Sequence, residues 1–151
     1  MGYWLSCTGP ERFELDMAND FALDGYLEED LERAIRVEPG DRIVYYVQGW
    51  QAFGAVCVAR SRVFVDWRQI WPDSVRPLRF ERRPEIVLTK EKALPAGGVL
   101  AHLSFVPAKD KVSGGTGHIF REGLREIPRE DFELIERHMR RVVKAGDAKN
   151  G

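Results

Sequence analysis

The stretch Pro39–Ala59, PGDRIVYYVQGWQAFGAVCVA, constrains this chain more than any other. Pro39-Gly40-Asp41 forms a turn: proline presets φ, glycine tolerates positive φ, and the aspartate carboxylate accepts from nearby backbone N–H groups. Ile43 to Val47 are then all β-branched or aromatic, Gln48-Gly49-Trp50-Gln51 reverses the chain, and Phe53 to Ala59 is a second apolar run. Two such runs around a short glycine-bearing connection predict a β-hairpin. Both arms are apolar at successive positions, so both faces of the hairpin must be covered, or the sheet must curl into a barrel.

The rest of the chain supplies the cover. Tyr3 to Cys7 reads as a short strand set centrally in the sheet, because so aromatic a terminal segment must be tied down. Residues 11–26 read as irregular. Leu27–Val37 reads as a helix with Leu27, Leu31 and Ala34 or Ile35 inward. Short strands are expected at 63–65, 78–81 and 85–88, with Pro84 as an interruption, and a short helix at 99–106. Lys109–His118 reads as a mobile polar loop, and Ile119–Arg121 with Leu124–Ile127 as hairpin arms turning at Glu122-Gly123. The last helix starts after Pro128, with Glu130 and Asp131 facing its positive end and Phe132, Ile135 and Met139 on its apolar stripe. At 151 residues this is one domain, expected over 1–143, with a polar, frayed tail at 144–151.

Several function classes lose their footing here. No apolar run approaches the roughly 20 residues of a membrane helix, and MGYWLSCTGPERFE lacks a basic segment of the signal-peptide kind, so the expected location is cytoplasmic, with no membrane partner. Cys7 and Cys57 fall in predicted strands without CxxC spacing, which fits reduced core thiols; buried cysteines are usually inert, which argues against Cys7 as a nucleophile. His102, His118 and His138 stand apart from acids and cysteines at ligand spacing, so no metal site is expected. Neither GxSxG nor GxGxxG occurs, and no catalytic residue or cofactor is expected. Charge is uneven: residues 1–59 balance to −7 and residues 60–151 to +6. A basic half binds phosphates if its charges share a face; interleaved on the folded surface, they form no such face. Asp66–Pro77 holds two tryptophans and two prolines, and Trp67 and Trp71 either cap the open end of a barrel or wall a ligand pocket. Arginines at 76, 79, 82, 83, 121 and 125 lie on or beside strands, where they hold phosphates or protect sheet edges from pairing.

The order of motifs carries a resemblance. YWL at Tyr3–Leu5 precedes Pro10-Glu11, then PGDRIVYYVQGWQAFG, FVD at 64–66 and IWP at 70–72. PLRF at 77–80, HLSFV at 102–106 and LREIPREDFELIE at 124–136 complete the series. In sequence and spacing the chain resembles the EVE domain family over about residues 3–140. The resemblance implies an α+β, PUA-like pseudobarrel of mixed β-structure, with five or six strands and helices packed around it, related to YTH and ASCH domains. It also implies a non-enzymatic module that holds a modified nucleobase in an aromatic-walled pocket. Its partner would be DNA carrying a modified cytosine, or RNA carrying a modified base, bound alone or alongside a nuclease or modification enzyme.

Carried onto this chain, the pocket lies where the first strand ends, at Ser6, Cys7 and Thr8, facing Ile70-Trp71-Pro72 over the hairpin floor. Trp71, or Trp50 in its place, stacks on the base; Tyr45 or Tyr46 faces it from the floor, with Tyr46 the expected one. Arg79, Lys109 and Arg121 contact backbone phosphates. Gly9 replaces the polar residue common before Pro-Glu in the family, and the 113–117 loop lacks an expected aromatic. Two other classes compete. A small hydrolase of modified nucleosides, like some ASCH relatives, requires a GxKxxExR-like signature that the chain does not carry, and a protein-binding adaptor requires a large exposed apolar patch.

Overall fold

A computed structural model describes residues 1–113, 120–121 and 123–150. β1 (Tyr3–Thr8), α1 (Pro10–Ala18), β2 (Leu23–Tyr26) and α2 (Leu31–Ala34) lead into the hairpin, β3 (Arg42–Val47) and β4 (Ala52–Ala59). β5 (Phe64–Val65), β6 (Leu78–Val87) and β7 (Leu94–Pro95) follow, then α3 (Ala108–Ser113), β8 (Gly123–Glu126) and α4 (Arg129–Asn150). One sheet runs β2-β6-β4-β3-β1-β8, with the two-residue strands β5 and β7 added on β6 and β4. Among the described residues, only β1 and β3 pair in parallel. This mixed sheet curls into a half-barrel, an α+β pseudobarrel of the PUA-like kind.

Both faces of the hairpin are covered, as its apolar arms require. Outside the curl, Leu5, Tyr46, Phe53 and Phe120 pack with Phe132 and Ile135 of α4. Inside it, Trp4, Phe13, Phe21, Tyr26, Tyr45 and Phe80 form a second core. Tyr45 and Tyr46 therefore face opposite sides, as strand alternation demands. The turn acid works as expected: the Asp41 carboxylate accepts from the N–H of Glu38 at 3.0 Å and of Gly2 at 2.7 Å, and from the Trp4 indole at 3.0 Å. That ties the N-terminus to the hairpin.

Several local expectations are corrected. Residues 11–26 are regular: α1 and β2 occupy most of them. Their charged residues hid a helix whose buried face includes Arg12 and Asp16 as well as Phe13. The helix expected over 27–37 is a 3-10 turn at Glu28–Asp30 followed by the single turn α2. Its inward residues are Asp30, Ala34 and Val37, while Leu31 and Ile35 are about half exposed. Pro84 does not split a strand, because β6 runs through it and shifts register against β4 beside it; a bulge is where a sheet tolerates proline. The segment 99–106 contains a 3-10 turn at Leu100–His102 in place of a helix. α3 occupies the start of the loop expected at 109–118, and the rest of that loop, with Ile119 and the Glu122 turn residue, lies outside the described residues. α4 continues to Asn150, through most of the expected tail.

A second register shift, between β3 and β4 at Tyr45/Tyr46, leaves Gly54 as the extra residue of a bulge. A Cβ at Gly54 would lie 2.8 Å from Cζ of Phe13. Gly54 thus lets α1 close onto the inner core. Gly54→Ala is expected to cost about 1–3 kcal/mol in urea unfolding, the usual penalty of overpacking, and a second change, Phe13→Leu, recovers part of that loss.

Candidate functional site

Inside the half-barrel lies a cluster of charge with no access to water. Asp24 is fully buried, and its carboxylate accepts from Arg12 at 2.6 Å and from the hydroxyls of Tyr26 and Tyr45, both at 2.7 Å. A guanidinium nitrogen of Arg82 stands 3.5 Å away, and Arg82 also pairs with Asp16 at 3.1 Å. Tyr26 is placed 2.7 Å from the Ser6 hydroxyl as well. Burial works to raise the Asp24 pKa; the opposing charges of Arg82 and Arg12 and the two phenol hydrogen bonds outweigh it, so the carboxyl is held below its usual range. Burial first, and then the Asp24 charge, push Tyr26 well above the ordinary tyrosine value. Burial likewise pushes the Cys57 thiol up to about 12, so it stays protonated and unreactive.

This cluster carries Trp71. The indole N–H donates to Asp16 at 2.9 Å, and the guanidinium carbons of Arg12 and Arg79 lie 5.2 and 5.3 Å from the ring centroid. A Cβ at Gly25 would sit 2.4 Å from the ring, so glycine there makes room for the indole. Arg79, itself fully buried, holds the loop that follows: its guanidinium donates to the carbonyls of Arg76, Val75 and Arg68 and pairs with Asp66. The loop from Trp71 to Arg76 is thereby fixed across from the start of α1.

A cleft of about 280 Å³ opens between the two, beside the C-terminal ends of β1 and β3. Its lining includes Gly9, Pro10 and Arg12 from one side and Pro72, Asp73 and Arg76 from the other, with Gln48 of the hairpin turn. It lies close to the lower end of the roughly 300–1,000 Å³ typical of small-molecule sites. α1 begins at this cleft without a side-chain cap at Gly9, and its first backbone bond runs from Phe13 to Gly9. The N–H groups of Glu11 and Arg12 precede that bond and have no helical acceptor, which gives this end of the cleft positive character. Arg76 adopts φ 52°, a left-handed conformation unusual for a residue with a side chain, and pairs with Asp73 at 2.7 Å. Gly49 closes the floor: a Cβ there would meet Pro10 at 2.5 Å.

The expected site residues divide. Trp71 is 1% exposed, so no face of the indole is free for a base, and its assignment as the stacking wall is corrected to a buried prop beneath the cleft. Arg79 cannot reach a backbone phosphate, because its guanidinium is fully buried beneath the loop. Tyr46 packs against Phe120 at 4.2 Å and lies in the outer core. Ser6 and Thr8 are buried and do not line the cleft; Ser6 sits against the Tyr26 hydroxyl. Cys7 points to the other face and lines a separate cleft between α2 and β8, together with Arg121. Lys109 is exposed on α3. Trp50 is half-buried, edge-on to Phe13 at 5.0 Å, in the same turn as Gln48. The sequence reading passed over Arg12, Gln48 and Asp73 as site residues and took Arg76 only as one of several arginines beside strands. Pro10 and Pro72, inside the quoted motifs, were the available signal. Among the described residues no cluster of three or more metal-ligating side chains occurs, and no helix is long and apolar enough to cross a membrane.

The geometry defines a PUA-like domain with a small cleft whose lining includes two arginines, Arg12 and Arg76, and two acids, Glu11 and Asp73, and comparison with known structures agrees on the fold. The YTH domain of the Zygosaccharomyces rouxii MRB1 protein, solved in complex with N6-methyladenosine RNA, superposes with a TM-score of 0.63 at 17% identity, covering 91% of this chain and 86% of that one. The human THYN1 protein, solved in complex with 5-methylcytosine-containing DNA, gives 0.59 at 13% identity, with coverages of 92% and 98%. No family model matches the sequence. A UPF0310 protein of Pyrococcus abyssi is 30% identical over 149 residues, 90% of this chain and 98% of its own length. Another, from Pyrococcus horikoshii, is 25% identical over 151 residues, with coverages of 91% and 98%. The chain belongs to the UPF0310 family.

The buried cluster sets a pH dependence. An unfolded chain protonates Asp24 near 3.8, whereas the fold resists protonation until lower pH, so the cluster contributes fully above 3.8 and is lost as pH falls through the lower folded value. The phenols act at the other end: above about pH 10 the unfolded chain loses protons that folded Tyr26 and Tyr45 keep, and stability declines. Asp24→Asn is expected to cost about 3–5 kcal/mol in urea unfolding at neutral pH, because Arg12 and Arg82 lose their buried partner. It should also flatten the acid limb of stability against pH.

Proposed function

We propose that the chain is a non-enzymatic reader of a modified nucleobase, and that the base enters the cleft between the start of α1, Gln48 and the Pro72–Arg76 loop. The cleft carries this reading. It is small enough for one base, it is built on buried supports, and it sits on a fold shared with domains solved with modified RNA and DNA. The motif resemblance to EVE domains points the same way.

The chemistry of the lining suits a base edge. The N–H groups of Glu11 and Arg12 at the start of α1 favour ring carbonyls and unprotonated ring nitrogens. The Asp73 carboxylate favours an exocyclic amine, the pattern of a cytosine. Pro10 and Pro72 supply the apolar surface for a methyl-sized modification. A guanidinium plane or Trp50, in place of Trp71, stacks on the base. Exposed Lys109 and Arg121 are available to phosphates of the flanking strand, while nuclease or modification-enzyme partners would act on the bound nucleic acid from outside this domain. Extruding a base costs little when the strand is already single, so single-stranded ends and loops are the expected targets.

The test is a titration at fixed salt against single-stranded DNA and RNA oligonucleotides that differ in one modified cytosine or adenine. One modification should raise affinity at least several-fold, and Gln48→Ala should reduce that preference by about five-fold, the worth of one hydrogen bond, measured well below the melting transition because the change also removes the amide's bond to the Phe120 carbonyl. If all strands bind alike, the reading is wrong. Turnover of a modified nucleoside would make the protein an enzyme instead.

A further inference from the structure

The loop that presents Pro72, Asp73 and Arg76 to the cleft also carries an exposed aromatic surface. Phe64 and Val65 of β5 are 38% and 61% exposed, Trp67 is 60% exposed, and Ile70 is 39% exposed. Trp4 and Trp71 are buried and Trp50 is half-buried, so Trp67 is the tryptophan whose ring lies mostly in water. Tryptophan rings are seldom left so open unless something covers them.

Two observations say what the cover is. The segment that carries the ring is cationic: residues 60–70 hold exposed Arg60, Arg62 and Arg68 against one acid, Asp66, which pairs with Arg68 at 2.6 Å and with Arg79 at 3.2 Å. Arg62 meets Glu38 only in a solvent-exposed pair, which a phosphate displaces at little cost. The ring also stands on the same loop as one wall of the cleft. Trp67 precedes Pro72 by five residues, a span of at most about 18 Å. The platform is rigid, too. Asp66 donates its N–H to Pro77 and accepts from the N–H of Arg68, and Arg79 donates to the Arg68 carbonyl from beneath.

We propose that Trp67, flanked by Phe64 and Arg68, is a second subsite on which an unmodified neighbouring base of the same single strand stacks while the modified base occupies the cleft. The inference rests on the cleft being the base site. Stacking is indifferent to base identity, so this subsite adds affinity for the strand and leaves the choice of modification to the cleft.

Three probes separate the two roles: single-stranded DNA with one 5-methylcytosine, the same strand unmodified, and free 5-methyldeoxycytidine. Trp67→Ala should weaken both strands about 5- to 150-fold, the range of one lost stacking contact. It should leave the ratio between the strands, the affinity for the nucleoside and the thermal melting unchanged, and Trp67→Phe should restore most of the strand affinity. Unchanged strand affinity in Trp67→Ala, with the ratio between strands intact, overturns the subsite and leaves the cleft assignment standing. Trp67-dependent strand binding without preference for 5-methylcytosine keeps Trp67 as a stacking surface and overturns the cleft as a 5-methylcytosine site. If the wild type sediments as a dimer and Trp67→Ala as a monomer, the ring belongs to contact with a second copy and the subsite is overturned.

Discussion

A carboxylate with no access to water organises this protein. Asp24 gathers Arg12, Arg82, Tyr26 and Tyr45 inside the half-barrel, and each of those residues belongs to a different element: α1, β6, β2 and β3. Charges desolvated to this degree are tolerated only when each has several partners, so the elements must meet in one arrangement for the cluster to exist at all. An apolar filling of the same volume would allow sliding between α1 and the sheet; a charged one penalises it. The cluster also reaches the cleft, because Arg12 belongs to both.

Arg79 extends that rigidity outward. By donating to the carbonyls of Arg68, Val75 and Arg76 it satisfies a stretch of loop that has no strand or helix to do so. The 66–76 segment can then hold Arg76 in a left-handed conformation and keep its proline and aspartate facing α1. Preorganisation of this kind lowers the entropic cost of ligand binding.

The hairpin, the central first strand and the last helix were legible in the sequence, because each rests on local chemistry: turn residues, apolar arms, a proline start. What was hidden concerns charged and aromatic residues far apart in the chain. Arg79 and Arg82 sit in a run of surface-like sequence, and only their opposite numbers across the barrel turn them inward. Trp71 looked available for stacking because the residues that enclose it, Asp16, Gly25 and Arg79, carry no local sign of doing so. The same blindness affected α2, where Asp30 is turned inward toward Gly123 of β8 and the two leucine-like residues outward.

The placement of β1 bears on how the chain reaches this state during synthesis. β1 pairs with β3 on one side and with β8 on the other, where Leu5 stands opposite Arg125. At ribosomal rates of about 5–20 residues per second, roughly 6–24 seconds separate the emergence of those two partners. Meanwhile one edge of an apolar parallel strand lies open, and edges of that kind recruit other chains. Closing so long a loop adds little entropy beyond that of a medium one, so the delay is kinetic rather than energetic. The nascent half-barrel therefore carries an uncovered edge of β1 until its last strand arrives.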